Sequence, residues 1–142
     1  MEFALGVLFL PTALNDSAAA NDNVSSMEIS PDSSWEGSGT EDDPYIVSTP
    51  EQLAGMSLEH GAYSEIDGVY FIQNEDIDLG MNVWTPINFK GHFDGNGYQI
   101  SGFYLNDDVN YYEGAGLFGK VYGNSTIENI NLSGNMEVNH EY

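Results

Sequence analysis

The sequence predicts an all-β solenoid, a coiled stack of short strands closed at its first end by a small helix. One observation is a degenerate internal repeat: FKGHFDGN, Phe89 to Asn96, returns 28 residues later as LFGKVYGN, Leu117 to Asn124. Gly91, Gly95 and Asn96 recur there as Gly119, Gly123 and Asn124. After each copy a matching run follows, YQISGFYL at Tyr98 to Leu105 and STIENINL at Ser125 to Leu132, placing Ile100, Phe103 and Leu105 on Ile127, Ile130 and Leu132. Ile77 and Leu79 supply a third copy of its end. The other observation is texture, short β-type runs broken by glycine and asparagine, as expected when each unit buries its apolar face only against its neighbours.

The elements follow in chain order. Residues 1–20 read as a signal-peptide-like segment: an apolar run from Phe3 to Leu10, then Pro11, then the small residues Ser17 to Ala20. Its basic n-region is missing, since Met1-Glu2 opens the chain without Lys or Arg, and eight apolar residues are too few to span a bilayer. Residues 21–34, rich in Ser, Asn and Asp, read as a flexible leader. Residues 35–68 form an N-terminal cap with a short strand at Tyr45 to Val47 and a helix near 50–57. Thr49 as N-cap, Pro50 at the first helical position and Gln52 as capping-box partner start that helix, which buries Leu53 and Met56. Laid across the end of the stack, the helix would cover unpaired strand edges.

Residues 69–142 are the β-helix rungs. Strands are expected at Val69 to Ile72, Ile77 to Leu79, His92 to Phe93, Ile100 to Leu105, Leu117 to Val121 and Ile127 to Leu132. Stacking would align Ile77, Phe103 and Ile130 in one inward ladder, and Leu79, Leu105 and Leu132 in the next. Asn106 to Ala115 is an insertion that bulges from the stack, where function is commonly carried.

Composition narrows the function. An apolar content of 41% excludes a wholly disordered chain. With 23 acidic residues against two lysines and no arginine, the net charge of -21 repels phosphate backbones and anionic lipid, so nucleic acid is excluded as a partner. Cysteine is absent, which removes disulfides and thiolate metal sites.

The succession GSGTEDDPYIVSTPEQLAGM, YFIQNEDIDL, FKGHFDGNGYQISGFYL and GLFGKVYGNSTIENINLSG resembles the opening of bacterial cell-surface proteins that carry GLUG-type repeats. GLFG, Gly116 to Gly119, is the repeat's own signature, and the resemblance covers Trp35 to Gly134. It implies a right-handed parallel β-helix and an extracellular scaffold, adhesin-like or belonging to the non-catalytic regions of immunoglobulin A-cleaving metallopeptidases. It also implies further repeats beyond NMEVNHEY, making the chain the N-terminal part of a longer protein.

Chemistry is sparse. His60, His92 and His140 are scattered, and none forms the paired-histidine spacing of a metallopeptidase. A β-helix glycosidase or lyase would need convergent carboxylates, for which Asp76, Asp78 and Asp94 are the candidates; Asp76 and Asp78 alternate onto one outward side of their strand. The same three residues are the calcium candidates, although DGNG at Asp94 to Gly97 lacks the full register of an acidic calcium loop. Asp42 and Asp43, beside Pro44, shape a turn, and Trp84 packs in the core or at an edge. The ligand-binding candidates are Tyr111 and Tyr112 in the insertion, suited to stacking on a sugar or on a partner protein. Sequons at Asn15, Asn23, Asn124 and Asn131 imply no glycosylation in a bacterial setting. The sequence thus predicts a non-enzymatic secreted or cell-surface module that is adhesive, ligand-binding or a spacer, with an extracellular protein or glycan as partner. The alternatives are part of a carbohydrate-active β-helix enzyme or the non-catalytic arm of a surface peptidase.

Overall fold

A computed structural model describes residues 28–59, 68–102, 104–105, 114–133 and 137–138. The strands are β1 (Tyr45–Val47), β2 (Tyr70–Gln73), β3 (Ile77–Asp78), β4 (Ile87–Phe89), β5 (His92–Asp94) and β6 (Gln99–Ser101). They continue with β7 (Tyr104–Leu105), β8 (Phe118–Val121), β9 (Thr126–Glu128), β10 (Asn131–Ser133) and β11 (Glu137–Val138); the helix is α1 (Pro50–Glu59). Four small sheets result, in the orders β9-β5-β2-β1, β10-β6-β3, β11-β7 and β4-β8. Every registered pair among the described residues is parallel. Parallel partners cannot be joined by a tight hairpin, so each pairing joins residues well separated along the chain.

The strands form where apolar and polar residues alternate. In β2, Phe71 and Gln73 are buried while Tyr70 and Ile72 are only half-buried, and β5 repeats the pattern about Phe93. Phe71 pairs with Tyr45 on one side and Phe93 on the other, and Phe93 pairs with Ile127, so one inward row crosses the four-stranded sheet. Behind it Ile77, Trp84, Ile87, Phe89, Ile100 and Leu105 are all 1% exposed or less. A chain of ring contacts runs through this core, from Trp35 edge-on to Phe71 at 5.1 Å, to Phe89 at 6.0 Å and on to Phe118 at 5.7 Å. Each fully buried large apolar side chain contributes about 1.5–3 kcal/mol by leaving water. Trp84 also needs a polar partner, and its Nε1–H donates to the Leu117 carbonyl at 3.0 Å.

Helix α1 starts by local chemistry. The Thr49 hydroxyl accepts from the Gln52 N–H at 3.1 Å, while the Gln52 carbonyl oxygen Oε1 accepts from the Ser48 N–H at 2.9 Å. Leu53 and Met56 are fully buried, and the helix packs against β4. The stretch from Glu28 to Ser34 lies along its other side: the Asp32 N–H donates to the Glu51 carbonyl at 2.8 Å. That approach leaves no room for a side chain at Gly55, where an added Cβ would sit 2.1 Å from the Asp32 carbonyl oxygen. The Asp32 carboxyl is held below the usual carboxylate range by hydrogen bonds from the Ser34 hydroxyl and then from the Ser34 N–H.

This architecture corrects the expected fold class. The described residues form a mix of short parallel strands in four small sheets with one helix, and they do not show an all-β solenoid or a right-handed parallel β-helix. The sequence repeat does not map onto the pairing. Residues bonded across neighbouring strands are 26 positions apart at Ser48 and Asn74, 23 at Asp76 and Gln99, and 34 at His92 and Thr126, so no constant period of 27 or 28 is kept. Gly91 lies against Ser125 instead of Gly119, and Phe89 pairs with Val121 instead of Leu117. The expected inward ladders also fail. Ile77 pairs with Ile100, and Ile100 with Leu132, which is 49% exposed; Phe103 lies outside the described residues.

Two expected long strands are each broken in the middle for a backbone reason. Gly102, at φ +70°, separates β6 from β7, and Asn129, at φ 54°, separates β9 from β10. Left-handed backbone cannot continue a strand, and glycine and asparagine reach it at least cost. Strand β4 arises where none was expected. The segment 1–20 and the first half of the leader, 21–27, lie outside the described residues, as do His60, His140 and most of the insertion.

Candidate functional site

The outward face of the four-stranded sheet carries two parallel rows of side chains. Tyr70, His92 and Thr126 align across β2, β5 and β9, and Ile72, Asp94 and Glu128 align beside them. Because side chains alternate across a strand, Phe71 and Phe93 between the rows point into the core and form the floor. The result is a groove of about 280 Å³, with Glu41 and Pro44 at the β1 end.

One wall is rigid. The Tyr70 and His92 rings stack with centroids 4.3 Å apart and planes inclined at 23°, and His92 Nδ1 lies 2.8 Å from the Thr126 hydroxyl. On the other wall, Asp94 Oδ1 accepts from the Asn96 N–H at 2.8 Å and from Asn129 Nδ2 at 2.8 Å, which fixes its carboxylate. The loop that brings Glu41 to the groove is pinned by the Asp43 carbonyl, which accepts from the N–H groups of Ser38, Gly39 and Thr40, while the Gly39 carbonyl accepts from the Tyr70 N–H. Asp43 therefore shapes its turn through its backbone. Neither lysine of the chain lines the groove, whose charged walls are carboxylates.

The three acidic candidates do not converge. Asp76 Oδ1 accepts from the Gln99 N–H at the start of β6 at 2.8 Å, Asp78 Oδ1 accepts from the Gly80 N–H in its own turn at 2.8 Å, and of the three only Asp94 lines the groove. Among the described residues no three His, Asp or Glu side chains group where one metal ion could be held. Tyr111 and Tyr112 lie outside the described residues. Of the repeat residues, Gly91 and Gly95 are buried at the two ends of β5 and Asn96 occupies an exposed turn at φ 54°, while Gly116 is half-buried just before β8 and Gly119 half-buried within it. Gly123 and Asn124 line a neighbouring cleft of about 540 Å³ with Lys90, Gly91 and His92, the last shared with the groove.

Tyr70 and His92 were not found as a pair by reading the chain. The signal available was the shared centre of YFI and HFD: aligning Phe71 with Phe93 sets Tyr70 against His92.

No known family's sequence profile matches the chain, and no solved structure matches it. Two curated proteins are similar to it. One is a protein provisionally named Gly-rich membrane protein, from Evansella cellulosilytica, 36% identical over 110 residues that make up 69% of this chain and 12% of that protein. The other is named halomucin, from Haloquadratum walsbyi, and is 32% identical over 104 residues, 69% of this chain and 1% of that protein. The chain thus spans a small part of the length of the curated relatives it matches. Among the described residues no helix is long and apolar enough to cross a membrane.

Proposed function

We propose that this chain is a secreted or surface-displayed module, one unit of larger proteins, with an adhesive, ligand-binding or spacer role and no catalysis of its own. The observation that carries the reading is the shape of the similarity: most of this chain aligns with a minor fraction of two much longer proteins, one named for a membrane and one named halomucin. A unit shared in that way is a reusable part, and the two names support a surface or extracellular setting. The resemblance of Gly116 to Gly119 to the GLUG signature fits the same setting. Against catalysis, Asp76 and Asp78 are engaged in backbone bonding and neither lysine lines the groove to bind an acidic sugar.

Antibodies raised against the chain test this on cells of the source organism. Labelling of intact cells, or recovery of the protein from the medium, is expected; labelling that requires permeabilised cells overturns the reading.

A further inference from the structure

We infer that the groove between the Tyr70–His92–Thr126 and Ile72–Asp94–Glu128 rows binds an oligosaccharide bearing free amino groups. The inference rests on the reading of the chain as a ligand-binding surface module. An ionised carboxylate only accepts hydrogen bonds, so a ligand seated against Glu41, Asp94 and Glu128 would have to be rich in donors. The net charge of -21 and the absence of lysine from the groove turn away uronates, sulfated sugars and phosphates. An ammonium is the complementary donor, because a charge-assisted hydrogen bond is roughly twice as strong as a neutral one.

The rest of the groove selects a sugar over a basic peptide. The groove lies on the face of a sheet whose strands already bond one another, so an extended peptide laid there would find no partners for its own N–H and C=O groups. A saccharide has no such backbone. Its hydroxyls can bond Thr126 and the carboxylates, and its C–H faces can pack on the Tyr70–His92 stack, Ile72 and Pro44. The stacked rings and the anchored Asp94 are set in place before binding, which lowers the cost of ordering the site.

The test is calorimetric titration of the 142-residue chain with a glucosamine tetrasaccharide, its N-acetylated counterpart and tetralysine. The glucosamine oligomer is expected to bind at least about ten-fold more tightly than either of the others. Replacing two exposed carboxylates, Glu41→Gln with Glu128→Gln, should weaken it about five-fold or more. In the unsubstituted chain, the ring resonances of Tyr70 and His92 should shift on titration. Equal affinity for the acetylated sugar, equal affinity for tetralysine, unchanged binding in the double variant or unmoved ring resonances would each overturn the inference. Cells labelled at their surface by a chain that binds no amino sugar would remove this inference alone, and binding by a protein found only inside cells would remove the surface reading.

Discussion

Gly55→Ala should destabilise the fold, although in an ordinary exposed helix the same change stabilises by about 1 kcal/mol. The added Cβ would meet the Asp32 carbonyl oxygen at 2.1 Å and its carbon at 2.6 Å, separations that force the 30–34 segment away from α1. Those atoms are backbone and cannot rotate aside. Overpacking of this kind costs about 1–3 kcal/mol. The shift also strains the bond from the Asp32 N–H to the Glu51 carbonyl, worth about 1 kcal/mol net. After the helix-propensity gain is subtracted, a loss of about 1–3 kcal/mol remains. Urea unfolding followed by tryptophan fluorescence measures it, because Trp35 donates to the Gln52 carbonyl and so reports on the same contact. With a urea slope of about 1–3 kcal/mol per molar, the midpoint should fall by roughly 1 M. A midpoint that rises would show that the segment does not lie against the helix at this distance.

Trp84→Phe should cost about 1–3 kcal/mol, chiefly through the space left by the buried indole, since the Leu117 carbonyl loses the indole donor but still accepts from the Ile87 N–H; the unfolding curve remains readable through Trp35. A loss below about 0.5 kcal/mol would show that neighbouring side chains close over the vacated space, against a tightly packed indole. Asn129→Ala should cost about 1–2 kcal/mol, because φ 54° is strained for alanine and the bond to Asp94 goes as well; Asn129→Gly should cost less, and the reverse order in thermal unfolding would refute the turn assignment. Asp32 has a lowered pKa when folded, so its contribution to stability is fully present above the ordinary carboxylate range and fades as pH falls through the lowered value. An NMR carboxyl titration should place Asp32 below the usual aspartate range, and an ordinary midpoint would rule out its bonds to Ser34.

What could be read from the chain was whatever local chemistry decides. Thr49, Pro50 and Gln52 mark the helix start because an N-cap needs only its own first turn; the Thr49 hydroxyl accepts from the Gln52 N–H as a capping box requires, while the Gln52 side chain reaches one residue further back, to the Ser48 N–H. Strand positions were readable from alternation, but their ends were not. Gly102 and Asn129 sit inside runs whose apolar pattern continues past them, and it is the backbone angle that breaks the strand. Pairing was least readable, since a repeat of similar residues does not dictate which strands meet. Ile100 selects Ile77 and Leu132 through packing that no short window contains. The groove was hidden for the same reason, as Tyr70 and His92 become neighbours only once β2 and β5 are in register.

The parallel pairing of the described strands also sets how the chain reaches its native state. No strand among the described residues has a hairpin partner to nucleate on, and contacts such as Asp76 with Gln99 or His92 with Thr126 close loops of 23 and 34 residues. The entropy of closing each loop must be overcome before its ladder returns anything, which slows the search. Helix α1 can flicker into shape within microseconds, yet it gains lasting order only when β4 arrives to cover Leu53 and Met56. Refolding should therefore be a slow event governed by chain topology, on the millisecond-to-second scale of folds built from distant contacts. During that interval the half-assembled strands expose open edges to one another, so a dilute solution favours recovery of the native form.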